Sequence, residues 1–390
     1  MLETPMKIGL YITKILYSTG GTESYTVRMA QALVSIYPDA KIYFVTECFD
    51  KKAKPSNEEF VKKLNSKYGT HLDFKICFLS AINTQNTTNR VSQFILRKKI
   101  ERSSKQFDLF FYCSRGHYVF RAKKNIAIIH FPMERLSKIK NGSNKVIRVL
   151  AHLKDKRYYK GYDLFLPNSN FTKTFLQEWW PEIPESKINL LYPPVQKIED
   201  LHLARKNHIM VCSRIERDKN LESLIDAFKS STFLKENYKL VIAGGSDEGS
   251  LYLPELKAYS NGANIEIREN LPFNEIVRLY NESKFFWHCK GYAVDEKKDP
   301  YKCEHFGITT VEAMSAGCIP IVINKAGQKE IVSDDCGKKW LTLQEIISIT
   351  EELARDNTNI ESYSEKCRER ANFFLFDEFS KNLKNILETL

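Results

Sequence analysis

Hydrophobic and polar positions in the first half of the chain alternate between short apolar runs and amphipathic stretches. The apolar runs, which predict buried strands, are Lys7 to Ile12, Ile42 to Val45, Phe74 to Phe78, Leu109 to Cys113, Ile126 to His130 and Leu164 to Leu166. The amphipathic stretches, which predict helices, include Thr22 to Ile36, Glu58 to Tyr68 and Ser92 to Ser104. Strands and helices in alternation indicate a parallel sheet covered on both faces, which is a doubly wound α/β unit.

The same pattern stops and then starts again in the second half. It stops at Tyr192-Pro193-Pro194-Val195 and a charged stretch that runs to Asn207, which indicates a linker. It restarts with strand-like runs at His208 to Cys212, Lys239 to Ala243, Asn264 to Ile267, Phe285 to His288 and Ile319 to Ile323. We therefore predict two Rossmann-like doubly wound domains facing a cleft, residues 1–195 and residues 205–370. A predicted helix, Phe373 to Leu390, makes up most of the remaining segment 371–390.

Composition supports two packed domains in a cytoplasmic protein. The chain has 390 residues, more than one core usually holds, and 43% of them are hydrophobic. No apolar run approaches the roughly 18 residues of a membrane-spanning helix, and the N-terminal residues lack the pattern of a secretory signal. Nine cysteines, without any Cys-x-x-Cys pair, predict reduced thiols rather than disulfides or a structural zinc site.

A formal net charge of +11 calls for an anionic partner. The basic residues cluster in segments 97–105 and 138–160. Interleaved with the second cluster are Val146, Ile147, Val149, Leu150 and Leu153. A helix there would carry an apolar stripe beside a basic face, which fits either a solvated helix packed on its own domain or peripheral docking on an anionic membrane. Nucleic acid is not an expected partner, because no recognised binding motif is present.

Candidate chemistry is densest in the segment from Glu304 to Val322. Glu304 and Glu312 are eight residues apart, on a predicted loop that enters a helix near Phe306 or Gly307. Glu304 would lie just ahead of the helix and Glu312 on its body. The free N–H groups at a helix start suit an anion or a ring of hydroxyls, and carboxylates accept hydrogen bonds from sugar hydroxyls. The segment therefore predicts a nucleotide-sugar site.

Loops that follow predicted strands supply groups suited to phosphate. Gly20 and Gly21 would let a phosphate or sugar approach backbone N–H groups, although a plain tight turn explains them equally. Arg214 and Lys219 can converge on a diphosphate, the first by its planar fork and the second as a point charge. Gly244 closes a later strand and leaves room for a ligand backbone.

Two further loops complete the candidate set. His130 ends a predicted strand of the first domain, as either a satisfied core histidine or a group at the cleft edge. Asn270 and Leu271 occupy a loop where a base could sit. No Asp-x-Asp occurs in the sequence, so the usual carboxylate clamp for a metal-bridged diphosphate is missing. We therefore expect no metal and no cofactor.

With these residues assembled, the chain resembles family 4 of the retaining glycosyltransferases, whose fold is the two-domain GT-B arrangement. The resemblance covers nearly the whole chain. Its motifs are Gly20-Gly21-Thr22-Glu23, His130-Phe131-Pro132, Asn168-Ser169-Asn170-Phe171-Thr172, Tyr192-Pro193-Pro194-Val195, Arg214 with Lys219-Asn220, Gly244-Gly245, and the pair Glu304 and Glu312.

The resemblance implies a role for each matching position in the second domain. Arg214 and Lys219 would bind the donor diphosphate. Glu312 would bind the ribose hydroxyls, and Glu304 the donor sugar. Backbone amides of Phe306, Gly307 and Ile308 would also reach sugar hydroxyls.

Other positions follow from the same resemblance. Asn270 and Leu271 would lie by the base, and His130 would contact the transferred sugar near the reaction centre. The last helix would cross back onto the first domain.

The form Glu304-His305-Phe306-Gly307-Ile308, which follows Trp287-His288-Cys289-Lys290-Gly291-Tyr292, is most similar to cytosolic mannosyltransferases of lipid-linked or polysaccharide assembly. This similarity implies retaining, metal-independent transfer of a hexose to a hydroxyl of a glycan or lipid-linked glycan, and the hexose donor that fits best is GDP-mannose.

Two segments depart from the family pattern. Lys325 to Glu330 stands where a Gly-Gly pair is common, and Tyr292 to Cys303 is a long charged loop, a candidate lid or acceptor contact.

Several alternatives stay open at this point. The chain could use a UDP-sugar, be another GT-B enzyme such as an epimerase or phosphorylase, or be a non-catalytic subunit of a glycosyltransferase complex. The intact Arg214/Lys219 and Glu304/Glu312 pairs argue against another GT-B enzyme, and the presence of His130 and both glutamates argues against a non-catalytic subunit. A nicotinamide dehydrogenase is not expected, because no Gly-x-Gly-x-x-Gly fingerprint is present.

Overall fold

Two parallel sheets, each flanked by helices, form the framework of the computed structural model. The structure describes residues 5–17, 20–48, 54–84, 89–140, 142, 144–247, 249–356 and 359–390. The chain packs as two compact units, Met1–Pro194 with Phe379–Leu390, and Val195–Glu378.

The first unit contains a six-stranded sheet in the order β3-β2-β1-β4-β5-β6. All of its strand pairs are parallel. Its elements in chain order are β1 (Lys7–Tyr11), α1 (Gly21–Ile36), β2 (Lys41–Cys48), α2 (Asn57–Tyr68), β3 (Cys77–Asn83), α3 (Arg90–Ser103), β4 (Leu109–Tyr112), β5 (Lys124–Ile129), α4 (Leu136–Ile139), α5 (Lys145–Lys160), β6 (Leu164–Pro167) and α6 (Asn170–Trp179).

The second unit repeats this plan with the order β12-β11-β10-β7-β8-β9, again with parallel pairs throughout. Its elements are β7 (Lys206–Cys212), α7 (Leu221–Ser230), α8 (Thr232–Asn237), β8 (Lys239–Gly244), α9 (Tyr252–Ser260), β9 (Ile265–Glu269), α10 (Phe273–Glu282), β10 (Ser283–His288), α11 (Ile308–Ser315), β11 (Ile319–Ile323), α12 (Gln328–Ile331), β12 (Lys338–Trp340), α13 (Leu343–Arg355) and α14 (Ile360–Ala371). The final helix is α15 (Phe376–Glu388).

The strand order places a topological switch point in each sheet. In the second unit, β7, β8 and β9 extend to one side and β10, β11 and β12 to the other, so the order reverses between β7 and β10. Loops that leave neighbouring strands in opposite directions open a crevice at the carboxyl ends of the strands, where such sheets bind ligands. The predicted fold class, two doubly wound α/β units, is confirmed.

The boundary between the units differs from the predicted linker. The second unit begins at Val195. Val195 forms a parallel bridge with Leu375, and Ile198 is 1% exposed in that unit's core. The stretch from Val195 towards Asn207 therefore packs as part of the unit, although its charged sequence suggested a free linker.

Two strands differ from the pattern of apolar runs. The run Phe74 to Phe78 was predicted as a strand, but the chain turns at Phe74 and the strand starts at Cys77. The side-chain amide of Asn57 donates to the carbonyl oxygens of Phe74 and Cys77, which fixes this turn. The edge strand Lys338–Trp340 was not predicted, since two of its three residues are lysines.

The last helix is shorter than predicted and is buried in the first unit. α15 starts at Phe376, after a short 3₁₀ turn at Asn372–Phe374. It buries Phe379, Leu383 and Leu387. The ring of Phe379 contacts the ring of Tyr25 on α1, edge to face, at a centroid distance of 5.7 Å.

Two sequence-based expectations concern thiols and membrane spans. All nine cysteines are free, as the prediction of reduced thiols requires. Across the described ranges, no helix combines the length and the hydrophobicity that crossing a bilayer requires.

The basic segment 138–160 forms two helices rather than one. Asp155 on α5 is 1% exposed, and its carboxylate accepts hydrogen bonds from the backbone N–H groups of Leu136 and Ser137 at 3.0 and 2.9 Å. These are two of the N–H groups that a helix start leaves without an intrahelical partner. The Asp155 side chain therefore fixes the start of α4 against α5.

We expect Asp155→Ala to destabilise the first unit by about 1–2 kcal/mol, because it leaves two partly buried N–H donors without an acceptor. Asp155→Asn should recover part of this loss, since its amide oxygen still accepts a hydrogen bond. Thermal unfolding measures both effects. Asp39→Ala, at an exposed loop carboxylate, is the control, and equal melting temperatures for Asp155→Ala and this control would contradict the proposed cap.

Candidate functional site

Glu304, Lys219 and His288 meet at the switch point of the second unit. The ammonium of Lys219 lies 3.2 Å from Oε2 of Glu304, and Nε2 of His288 lies 3.6 Å from the same oxygen. Their side chains are 13%, 24% and 8% exposed for Lys219, Glu304 and His288. The cluster is therefore a largely desolvated ion pair with an imidazole against it.

The topology explains why residues so far apart in sequence meet. Lys219 ends the 3₁₀ turn Arg217–Lys219 in the loop after β7, and His288 is the last residue of β10. β7 and β10 are neighbours in the sheet, so their carboxyl ends lie side by side. Asn220 takes a left-handed backbone conformation, with φ of 53°, where this loop enters α7.

The charges of the cluster stabilise one another. Burial alone would raise the pKa of Glu304, but the Lys219 ammonium, the His288 ring and the Lys290 ammonium outweigh burial and hold the pKa well below its usual range. Burial alone would lower the pKa of Lys219, but the Glu304 carboxylate outweighs this and raises it. Burial lowers the pKa of His288, with Glu304 opposing, so the ring is neutral at neutral pH.

A further cation stands at the edge of the cluster. Lys290 follows β10 and pairs with Asp218 at 3.3 Å, with 15% of its side chain exposed. Arg214 is more open, with 56% of its side chain exposed, and pairs with Glu216 at 2.5 Å. Arg214 and Lys219 each pair with their own carboxylate, and the Arg214 charge opposes the rise in the Lys219 pKa. The predicted convergence of both cations on a diphosphate stays a prediction.

Glu312 occupies the body of α11, as the sequence predicted. The hydroxyl of Tyr280 on α10 donates to Oε2 of Glu312 at 3.1 Å. Tyr280 is fully buried, and its burial raises its pKa well above the usual range. A buried, neutral phenol therefore positions the second glutamate.

The turn into α11 depends on glycine and on a buried glutamine. Gly307 has a φ of 131°, and a Cβ there would lie 2.2 Å from Nε2 of Gln328. Gln328 is fully buried. Its side-chain amide donates to the carbonyl of Phe306 at 3.3 Å and accepts from the hydroxyl of Thr310 at 3.0 Å. The side chain of Gln328 thus ties both sides of Gly307, so that the turn holds Phe306 and Ile308 in one backbone conformation.

The loops after β7, β8 and β9 are joined by close backbone contacts. A Cβ on Gly244 would lie 1.6 Å from the carbonyl oxygen of Ser213, so only glycine fits. The N–H of Asn270 donates to the carbonyl of Gly244 at 2.9 Å, and the Asn270 side chain accepts from the N–H of Ser246 at 3.3 Å. Leu271 packs on the adjoining core. Asn270 has a positive φ of 51°, which an asparagine tolerates.

The long charged loop from Tyr292 to Cys303 is held in place by its own unit. Oε2 of Glu296 accepts from the N–H of Ala326 at 2.8 Å, and Oε1 pairs with Lys329 at 2.5 Å. Lys325 donates to the carbonyl of Val294 at 2.5 Å. The two segments that depart from the family pattern therefore contact each other.

His130, Gly20 and Gly21 belong to the first unit. The His130 ring lies edge to face against Tyr25, with centroids 5.2 Å apart. Burial and the Arg115 charge lower the pKa of His130 to about 4, so the ring is neutral at neutral pH. It lines a cavity of about 10 Å³, enough for one water. Gly20 caps α1, and Gly21 is its first residue.

The sequence of this chain is similar to those of several known proteins. Residues 196–371, nearly the whole second unit, match the family of glycosyl transferases group 1. The chain is 26% identical over 315 residues to the alpha-1,3/1,6-mannosyltransferase ALG2 of Dictyostelium discoideum, covering 70% of this chain and 72% of that protein. It is 25% identical over 249 residues to the GDP-Man:Man(3)GlcNAc(2)-PP-Dol alpha-1,2-mannosyltransferase of the same organism, covering 58% of this chain and 47% of that one. The chain thus spans about half the length of this second relative.

Solved structures show the same fold over the full chain. The Anabaena protein HepE in complex with UDP superposes with a TM-score of 0.70 at 14% identity, covering 99% of this chain and 100% of that one. Sucrose-phosphate synthase of Thermosynechococcus elongatus superposes with a TM-score of 0.69 at 14% identity, covering 98% of each chain.

The second unit thus carries a glycosyl transferases group 1 domain, and the chain has the two-domain GT-B fold. The predicted fold and the predicted enzyme class, a glycosyltransferase, are confirmed. The roles predicted for individual residues of this glycosyltransferase are not tested by these comparisons and stay predictions.

Sequence reasoning missed several residues of the glycosyltransferase site. His288, Tyr280 and Gln328 contact the predicted residues, but each lies in an apolar or unremarkable context in sequence. His288 could have been found from its place at the end of a predicted strand, the criterion that selected His130. In the described part of the chain, no three His, Cys, Asp or Glu side chains are grouped to hold a metal ion. Metal independence stays a prediction.

We expect Gly244→Ala to destabilise the glycosyltransferase by roughly 3 kcal/mol or more, because the new methyl group would overlap a backbone carbonyl that cannot rotate away. Gly245→Ala is the matched control: its Cβ would meet only Oδ1 of Asn270, at 3.7 Å, an ordinary contact. Thermal unfolding of both variants measures the difference. If the two variants unfold at the same temperature, the close approach of the β7 and β8 loops is not required for stability.

A second prediction concerns acid stability. Since the pKa of Glu304 is lower in the folded protein than in the unfolded chain, where it is about 4.3, the carboxylate stabilises the fold above that pH and loses this effect as pH falls. We therefore expect Glu304→Gln to lose less melting temperature than the wild type between about pH 5 and about pH 2, the range in which the wild-type carboxylate loses its stabilising effect. Calorimetry at both pH values measures this, with Glu236→Gln at an exposed carboxylate as control. An unchanged pH dependence in Glu304→Gln would contradict the ion pair.

Proposed function

We propose that the protein is a retaining, metal-independent mannosyltransferase that moves mannose from GDP-mannose to a hydroxyl of a glycan or lipid-linked glycan. The observation that carries the proposal is the cluster of Lys219, Glu304 and His288 at the switch point of a group 1 glycosyltransferase domain. The relatives named above are mannosyltransferases, and one of them is named for GDP-mannose. Their names support the choice of donor.

The cations of the site suit a diphosphate that carries no metal. Lys219, Lys290 and Arg214 each stand near the carboxyl end of β7 or β10 and each already pairs with a carboxylate. A diphosphate can take over these ammonium and guanidinium groups, because its charge exceeds that of the carboxylate it displaces. In this proposal Lys219 exchanges Glu304 for the diphosphate, and Glu304 becomes available to accept hydrogen bonds from the donor sugar.

The rest of the donor would lie along the loops already described. Glu312, held by Tyr280, would accept from the ribose hydroxyls. The fixed turn around Gly307 would present the N–H groups at the start of α11 to the sugar, since a helix start leaves such donors unpaired. Asn270 and Leu271, after β9, would take the base.

The reaction that fits these groups needs no protein nucleophile. The bond between the anomeric carbon and the diphosphate oxygen breaks, the acceptor hydroxyl bonds to the same face of that carbon, and its proton passes to the departing diphosphate oxygen. The sugar passes through an oxocarbenium-like state while Arg214, Lys219 and the start of α11 stabilise the leaving group. Since His130 is neutral at neutral pH, it would act in this scheme by hydrogen bonding rather than by charge.

The test is a donor screen in EDTA. GDP-, UDP- and ADP-sugars are incubated with the purified protein, and nucleotide release and thermal stabilisation are measured. We expect GDP-mannose to stabilise the fold and to release GDP slowly. Lys219→Met and Arg214→Gln should each lose on the order of 2–4 kcal/mol of transition-state stabilisation, roughly thirtyfold to a thousandfold in kcat/KM.

Matched variants separate the roles. Glu312→Gln should raise KM for the donor more than it lowers kcat, because the ribose contact is present before and during reaction. Lys235→Gln, at an exposed lysine on α8, should behave as the wild type. A UDP-sugar that stabilises and turns over in place of GDP-mannose would correct the donor. If no nucleotide sugar binds, the chain is the non-catalytic subunit of a glycosyltransferase complex.

A further inference from the structure

Helix α5 carries apolar side chains on two sides, and only one side packs on the part of the chain that the structure describes. Ala151 and Tyr158 are buried on one side, together with Asp155. On the other side Val146, Val149, Leu150 and Leu153 follow one another at helical spacing and are all exposed. Their exposed fractions lie between 50% and 67%. Such a stripe on a helix normally faces a core.

Helix α3 repeats the arrangement. Ile100 is buried in the core of the first unit, whereas Val91, Phe94 and Ile95 are between 59% and 68% exposed. The last three are again at helical spacing, so they share one face. We call the seven exposed side chains of α3 and α5 the apolar face: Val91, Phe94, Ile95, Val146, Val149, Leu150 and Leu153.

The two helices are neighbours in the first unit. Glu101 of α3 is 1% exposed, and its carboxylate lies 2.7 Å from Lys98 and 3.5 Å from Arg157 of α5. Burial alone would raise the pKa of Glu101, but these cations and Arg97 lower it. Glu101 therefore stays charged and ties the C-terminal part of α3 to the C-terminal part of α5.

Cations flank the exposed stripe of α5 on both sides. Lys154 lies one turn after Leu150, and Lys156 lies two turns after Val149. Lys145 and Lys160 stand at the two ends of the helix. None of these four lysines has an ion-pair partner among the residues that the structure describes. Their positive charge is left for an external partner.

We propose that the apolar face docks in the plane of an anionic lipid bilayer, with the apolar side chains at the acyl boundary and the lysines at the phosphates. A helix with an apolar stripe flanked by lysines is the arrangement that lies in a membrane interface. Burying a leucine there favours docking about tenfold or more. Each lysine near an anionic surface adds about fivefold.

Other occupants fit the charges less well. A second copy of the chain related by a two-fold axis would place this basic face against itself, which like charges oppose. The net charge of +11 has the same effect over longer distances. A sheet of anionic headgroups complements both the lysines and the apolar stripe.

The experiment is sedimentation of the full chain with vesicles at low salt. Phosphatidylcholine vesicles with and without phosphatidylglycerol are compared, and the partition coefficient is measured at rising salt. We expect binding only to the anionic vesicles, and weaker binding as salt rises, because salt screens the lysines. Leu150→Ser/Leu153→Ser should lower the partition coefficient about a hundredfold or more, and Lys154→Gln/Lys156→Gln about twentyfold.

Matched controls use exposed residues of the second unit. Leu251→Ser/Leu341→Ser removes two leucines that are 79% and 49% exposed, and Lys197→Gln/Lys235→Gln removes two exposed lysines. Both should bind as the wild type does. The proposal fails if the wild type stays in the supernatant with anionic vesicles at low salt, or if the leucine variant binds as well as its control.

Self-association is measured in a separate experiment. Sedimentation velocity without lipid would show a dimer for the wild type and a monomer for Leu150→Ser/Leu153→Ser if the face joined two copies, and that result would overturn the proposal. The vesicle test contains no nucleotide sugar. The vesicle test can therefore fail while the donor screen succeeds, and the donor screen can fail while the vesicle test succeeds.

Discussion

The ion pair between Lys219 and Glu304 is the interaction on which the rest of the second unit's site depends. Two opposite charges placed in a poorly solvated crevice cannot be removed one at a time without leaving the other uncompensated. The pair therefore fixes the loop after β7 relative to the loop that leads into α11. His288 joins the same carboxylate as a neutral ring, which adds a donor without adding a third charge. In the proposed exchange a diphosphate takes the place of Glu304 at Lys219, and the Glu304 carboxylate keeps the His288 ring and the Lys290 charge beside it.

Backbone constraints hold the pair in register with the neighbouring loops. Gly244 lets the β8 loop approach the carbonyl of Ser213, and Gly307 lets the chain turn under Gln328. Glycine is required at both positions because neighbouring atoms lie too close for a Cβ, not because the backbone must be flexible. The same logic extends to Tyr280, which directs Glu312 from inside the core. A buried tyrosine thus positions Glu312, and a buried glutamine positions the turn into α11.

The sequence was sufficient for the fold, and it named Lys219 and Glu304, which the structure brings together, but it was insufficient for the other contacts that these residues make. Alternation of apolar runs located most strands, because parallel strands are buried on both faces. It failed at Phe74, where a side-chain hydrogen bond sets the turn, and at Lys338–Trp340, where an edge strand needs few apolar residues. Pairings such as Arg214 with Glu216 depend on the conformation of a loop, and the hydrophobic periodicity of the sequence does not predict loop conformation. His288 went unassigned because a histidine beside a tryptophan in an apolar run looks like core.

The discontinuous first unit has a consequence for synthesis on the ribosome. Phe379, Leu383 and Leu387 complete its core, yet they are translated only after the whole second unit. Until they emerge, Tyr25 and its neighbours on α1 present an uncovered apolar surface. The second unit ends at Glu378, so the first unit stays unfinished for the whole time that the second unit is being synthesised. The uncovered surface of α1 is open to chaperones throughout that time.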